Sequence, residues 1–386
     1  MKVDFKTKKA KISGHCRYGS RFFKNYGFMF RTFIVLLIAF FALQCSRTPH
    51  TDSETKSIEL IQIDTVLIEQ GAQLFGKFYE HMRISQNGSY WLFNERIRNQ
   101  VFVFNSDGSF HSAIGKRGRG PDEILTISSF DINKNNEVAI FDGSQRMLKI
   151  FTLDGRLISS NNILEYADFS LVPHYLRWYK GQLAGTIIDL ESRFEPYKSR
   201  LLALINDDGS TDTAFGKFDP FSKQDNRETF VSLLAIDEEN NVAYTNLQSS
   251  PYFQIYDMEH FERILYGGKI TESFNKPSQE VTPQTSLSEI MLLVEDTSVF
   301  AHIFLTDEYF IQHMQILTKE WFDTSDYTAK ENVLVFYDRE TNEFIKEIKL
   351  EGITPLAAQK GKIYAVENFN PDQFTIGIYE ISTNTE

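Results

Sequence analysis

The chain has 386 residues, 42% of them hydrophobic, enough to bury a large core and to exclude disorder as its general state. Aromatic residues reach 14%, with 34 Phe and 17 Tyr, a composition suited to half-buried pleated surfaces. Residues 1–45 hold nine Lys/Arg against one Asp, and the remainder holds 31 basic against 51 acidic residues, a net −20 that repels polyanions and excludes nucleic acid as a partner.

In chain order, the first feature is the apolar run "FIVLLIAFFAL", Phe33 to Leu43, behind Arg31. It is too short for a span of about 20 residues, but it fits the apolar centre of a secretory signal whose basic flank stays in the cytoplasm. The run ends in "ALQCS", which resembles the lipobox of bacterial lipoproteins. Ala42 and Gln44 depart from its usual residues, and Cys45 is the expected lipidation site. Met29 offers an alternative start to Met1. We read 1–45 as a basic extension with a secretion signal, 46–56 as a linker and 57–386 as the folded domain. Cys16 is the other cysteine, so the domain has no disulfide and no thiolate.

Six hairpin patterns follow. "ISQNGSYWLF" (84–93), "INKNNEVAIF" (132–141) and "IDEENNVAYT" (236–245) share an Ile, a polar turn and an alternating apolar strand. "RWYKGQLAGT" (177–186), "FLTDEYFIQH" (304–313) and "AAQKGKIYAV" (357–366) are looser copies. Each leads to a third strand, such as "VFVFNSDG" (101–108) or "LKIFTLDG" (148–155), and the first five units continue into a fourth. The expected fold is all-β: a six-bladed β-propeller of four-stranded antiparallel blades. The sixth unit stops one strand short at "IGIYEIS", and "SIELIQID" (57–64) is an orphan strand. The ring is therefore expected to close by this N-terminal strand completing the last blade.

The pattern resembles the NHL and TolB-like six-bladed propellers, particularly lipoprotein-type propellers of Bacteroidetes, over residues 57–386. "IGKRGRGPDEI" (114–124) looks like the G-x-x-G-x-G-P-x-E segment such proteins carry between blades. The resemblance speaks to fold more than to function.

With strands lettered a to d from the axis outward, a–b and c–d turns share one face, and these are short. The b–c and d–a connections share the other face and are long, which makes that face the expected binding surface. Candidate ligand contacts there are Arg96, Arg98, Lys116, Arg117, Arg119, Arg146 and Arg193, a cationic patch suited to an anionic or carbohydrate ligand, with Trp321 as a recognition residue. The competing reading pairs those cations with Glu95, Asp122, Glu123 and Asp142 nearby. "GKRGRG" has neither P-loop nor dinucleotide spacing, and its glycines and Pro121 read as a sharp crossover.

Catalytic motifs are not evident. His302 and His313 belong to no HExxH motif, and Asp131 to Asp142 lacks the glycine of a calcium loop. No metal ligands and no cofactor are expected, although a divalent cation in the central channel remains an alternative, as in a lactonase-like propeller hydrolase or lyase. The reading is thus a monomeric, exported, lipid-anchored binding propeller on the periplasmic side of the outer membrane. It would touch the membrane only through its anchor and take an envelope protein or a small ligand as partner.

Overall fold

The computed structural model describes residues 56–68, 78–163, 175–187, 200–217, 231–276, 295–324, 329–370 and 373–385. These form six four-stranded antiparallel sheets. Blade 1 is β2–β5 (Phe78–Ile84, Tyr90–Glu95, Gln100–Asn105, Phe110–Ile114), and blade 2 is β6–β9 (Ile127–Ile132, Glu137–Asp142, Met147–Thr152, Leu157–Asn162). Blade 3 is β10–β13 (Tyr175–Tyr179, Gln182–Thr186, Leu202–Ile205, Thr211–Phe215). Blade 4 is β14–β17 (Ser232–Asp237, Val242–Leu247, Tyr252–Asp257, Arg263–Gly268), and blade 5 is β18–β21 (Ser298–Leu305, Tyr309–Ile316, Glu331–Asp338, Phe344–Leu350). The sixth blade joins β22–β24 (Thr354–Gln359, Lys362–Asn370, Gln373–Thr385) to β1 (Lys56–Ile68), which lies outermost. A single six-residue helix, α1 (Lys319–Thr324), stands among the described residues.

The closing strand is longer than its sequence pattern suggested. It pairs antiparallel with β24 from Lys56↔Thr385 to Ile68↔Phe374, with a bulge at Gln62/Asp64. Ile58 and Ile68 are buried. Glu367 fastens the seam by accepting hydrogen bonds from Gln62 Nε2 (2.5 Å), Thr65 Oγ1 (3.3 Å) and Tyr379 Oη (2.7 Å).

Apolar clusters fill the seams between adjacent blades, and this is where the aromatic residues go. Phe93 of blade 1 meets Phe374 of blade 6 edge to face at 5.7 Å, while Tyr244 of blade 4 stacks on Phe310 of blade 5 at 4.9 Å. Flat faces packed against flat faces favour large rings, which combine area with directional contacts.

The repeated "DG" of the c–d turns has a tertiary reason. Gly108, Gly155 and Gly209 hold φ of 87°, 81° and 83°. A Cβ there would lie 2.1 Å from Leu67 O, 2.9 Å from Ala113 O and 2.3 Å from Asn162 O. Those carbonyls belong to β1, β5 and β9, each the outermost strand of the preceding blade. Glycine thus satisfies both a left-handed turn and the close approach of one blade to the next.

Candidate functional site

The innermost strands β2, β6, β10, β14, β18 and β22 contact one another around the axis. Residues two apart on a strand share a face. Accordingly β2 offers His81 and Arg83, β6 offers Ser129 and Asp131, and β10 offers Tyr175 and Arg177. A cavity of about 180 Å³ is walled by Arg83, Tyr175, Arg177 and His302 on its polar side and by Leu234 and Ile236 on its apolar side. A second space of about 260 Å³ shares Ile84, Arg177 and Ile236 with it and is bordered by Gln86, Asn133, Asn135 and Glu238 of the a–b turns. The two form one funnel that opens among the short turns.

Blade 2 joins this ring to blade 3 through its side chains. The Leu176 amide donates to Ser129 Oγ and the Trp178 amide to Asp131 Oδ2, each at 2.8 Å. Asp131 Oδ1 lies 3.3 Å from Arg83 Nε, an ion pair without hydrogen-bond geometry. The guanidinium groups of Arg83 and Arg177 instead curl back onto their own strands: Arg83 Nη1 donates to Met82 O at 3.0 Å and Arg177 Nη1 to Leu176 O at 2.7 Å. Burial and the neighbouring Arg177 cation push Arg83 down to about 9, and burial also lowers Arg177. Both remain cationic at neutral pH. Two cations therefore face one carboxylate.

Deeper in the channel a chain of side chains runs across blades 1, 5 and 6. His81 Nδ1 lies 2.8 Å from His302 Nε2, His302 Nδ1 lies 3.0 Å from His313 Nδ1, and His313 Nε2 lies 2.9 Å from Asn332 Oδ1. The last link fixes the others. Asn332 Nδ2 donates to Ile353 O and Thr354 Oγ1, which orients Oδ1 as the acceptor. His313 therefore donates through Nε2, and with a neutral His313 the chain places the proton of His302 on Nδ1 and that of His81 on Nδ1. Burial, followed by the Arg83 and Arg177 cations, pushes His81 down to about 3; burial and the adjacent imidazoles also lower His302. His81 and His302 are thus uncharged and add nothing to the arginine charge.

This donor set does not fit the divalent cation considered from sequence. Two guanidinium groups repel it, and the imidazole nitrogens are turned toward one another. Among the described residues no three His, Cys, Asp or Glu side chains converge as metal ligands.

The cations singled out from sequence lie elsewhere. Arg96, Arg98, Arg117, Arg119 and Arg146 are exposed, on the b–c and d–a connections opposite the funnel mouth. Lys116 pairs with Asp122 at 3.4 Å and Glu123 at 3.6 Å. Nearby carboxylates serve the backbone: Glu95 accepts the amides of Ile97 and Arg98, and Asp142 accepts those of Leu125 and Thr126. The Lys116–Ile124 segment is a closed turn. Its Ile124 amide donates to Lys116 O, its Gly120 amide to Glu123 Oε2, and buried Lys149 donates from below to Gly120 O and Glu123 O. The carbonyls it presents inward, and the amide it spends on Glu123, are those of a crossover and not of a phosphate cradle. Trp321 stands on α1 beneath Lys330, whose Nζ is 5.0 Å from its ring centre. Cys45, Arg193 and much of the long-connection face, including 188–199, 218–230 and 277–294, lie outside the described residues.

Arg83, Asp131 and Arg177 were legible in one respect. Arg83 and Asp131 each immediately precede the last residue of their inner strands (Ile84, Ile132) and Arg177 stands one residue further back, before Trp178 and Tyr179, so stacking the hairpins gives a column reading Arg, Asp, Arg in blades 1 to 3. His302 and His313 are partners across the β18–β19 ladder, which extending the "FLTDEYFIQH" hairpin by two residues would have revealed. Asn332 carries no comparable signal.

A family profile described as a 6-bladed beta-propeller (DUF5128) matches residues 78–182. Among solved structures, a DUF4221-family member from Bacteroides vulgatus is similar with a TM-score of 0.64 at 10% identity, covering 86% of this chain and 100% of that one. A Bacteroides fragilis protein taken to be exported is similar with a TM-score of 0.57 at 13% identity, covering 85% and 95%. At these identities the likeness concerns the fold. No curated protein matches the sequence.

Proposed function

We propose that this protein is an exported, lipid-anchored propeller of the bacterial envelope that binds a small polar ligand in the short-turn mouth of its axial channel. The observation that carries the reading is the funnel itself, in which one buried carboxylate and two half-buried guanidinium groups from three blades converge, two cations to one anion. A purely structural channel would be expected to fill with apolar side chains or paired charges. Export and anchoring rest on the signal-like Phe33–Leu43 run and on Cys45, and the description of the Bacteroides fragilis structural neighbour as exported supports export alone. Among the described residues no helix is long and apolar enough to cross a membrane.

The test of binding is a plug. Ile236→Trp fills the funnel without changing its charge. Small molecules of an envelope extract that raise the melting temperature of the wild type are expected to lose that effect on the variant, and equal stabilisation of both proteins would overturn the channel reading. For anchoring, acyl label is expected on the wild type and absent from Cys45→Ala.

A second reading keeps a protein partner on the opposite face, favoured by the exposed Arg96, Arg98, Arg117, Arg119 and Arg146 on its connections. Reversing three of these charges would weaken capture of an acidic partner and leave the funnel ligand untouched.

A further inference from the structure

We infer that the funnel selects a small hydroxylated monocarboxylate, its carboxylate held by Arg83 and Arg177 and its hydroxyl-bearing body directed outward past Asn133 and Asn135. This deepens the channel-binding reading and rests on it. Charge comes first. Arg83 and Arg177 together with Asp131 leave one net positive charge in the half-buried inner part of the funnel, and the uncharged His81 and His302 add none. A monoanion brings that charge to zero, whereas a phosphate dianion would leave a buried surplus of the opposite sign, which is costly at low dielectric.

Geometry agrees. Among the described residues each guanidinium spends one donor on a backbone carbonyl. Arg83 Nε, buried, makes no hydrogen bond. Arg83 Nε is turned toward Asp131, so the donors left for a planar acceptor are the Nη groups not spent on these carbonyls, and a carboxylate is the planar acceptor with matching spacing. Asp131 lies against Arg83 through Oδ1, at 3.3 Å from Nε, while its Oδ2 accepts the Trp178 amide. Glycine-rich amide cradles, the usual means of holding phosphate, are absent from the described funnel walls, and the one glycine-rich loop of the chain is closed on its own carboxylate.

The walls then set the body. The inner cavity of about 180 Å³ is large enough for a six-membered ring, so it takes the acid group and the first carbons of the body. The outer space of about 260 Å³ is bordered by Gln86, Asn133, Asn135 and Glu238 and, at its rim, by the exposed Lys134 and Lys180, the latter paired with Glu259; this polar wall suits hydroxyl groups better than an alkyl chain.

The test is calorimetric titration of the full chain with gluconate and glucuronate, with glucose, and with inorganic phosphate. Gluconate or glucuronate is expected to bind saturably, and Arg83→Met and Arg177→Met are each expected to weaken it by about tenfold to a hundredfold, the span of a charged hydrogen bond. Asp131→Asn keeps an acceptor for the Trp178 amide but removes the opposing charge, so it is expected to tighten binding. A merely structural role would make all three variants weaken it, and circular dichroism of each variant reports its folding. If glucose binds as tightly as gluconate, or phosphate binds more tightly, the carboxylate inference is overturned while channel binding survives. If gluconate binds and neither arginine variant nor the Ile236→Trp plug changes its affinity, the channel reading falls as well. Absence of saturable binding by both acids overturns the inference.

Discussion

Replacing Gly108 by alanine is a direct probe of how the ring closes. Two costs add. The residue holds φ of 87°, a left-handed conformation that costs an alanine about 1 kcal/mol relative to glycine. The new Cβ would also lie 2.1 Å from Leu67 O and 2.9 Å from Val66 Cγ1, so β1 must retreat by more than an ångström, and overpacking of this kind costs about 1–3 kcal/mol. The sum is about 2–4 kcal/mol. Gly361 supplies the control, because its φ is 70° and nothing lies within 4 Å of its Cβ position, leaving the conformational cost of about 1 kcal/mol alone. Urea denaturation of Gly108→Ala, Gly209→Ala, Gly155→Ala and Gly361→Ala should rank their losses in that order, following approaches of 2.1, 2.3 and 2.9 Å and then open space. Amide exchange should rise along β1 in the first variant and not in the last. Equal destabilisation of all four, within about 0.5 kcal/mol, would show that the glycines answer only to turn geometry and that the seam argument is wrong.

Three further outcomes follow from the same geometry. Lys149→Met strips the donor from two carbonyls beneath the Gly120–Glu123 turn, and a loss of about 2–4 kcal/mol is expected in thermal or urea unfolding, with proteolysis appearing first in that turn. Glu367→Ala removes the acceptor shared by Gln62, Thr65 and Tyr379, and should release β1 to exchange while leaving blades 1 to 5 protected. His81 titrates near 3 in the folded chain against about 6.5 unfolded, so the unfolded state binds more protons between those values. Stability should be complete above about pH 6.5 and fall as pH drops toward 3, and His81→Gln should flatten that slope in urea midpoints measured against pH.

The six hairpins could be read from sequence because their determinants are local. Alternation fixes which side chains enter the seams, and Asn or Gly turns fix where strands reverse, so "ISQNG" and "INKNN" announce their blades without reference to anything distant. Ring closure was legible for a different reason: a blade one strand short and an orphan strand at the other end leave a single economical pairing. The funnel was not legible in the same way. Arg83, Asp131 and Arg177 stand nearly 50 residues apart, and no local rule tells an inner-strand charge that meets its neighbours on the axis from one that meets water. The exposed cations of the long connections drew attention because they cluster in sequence, yet Lys116 and the carboxylates around it are occupied by their own turn. Composition and period determined the propeller, since each blade must bury both faces. Only the closing of six sheets about one axis decided which charges would share a low-dielectric space, because that depends on radial position, a quantity no stretch of chain contains.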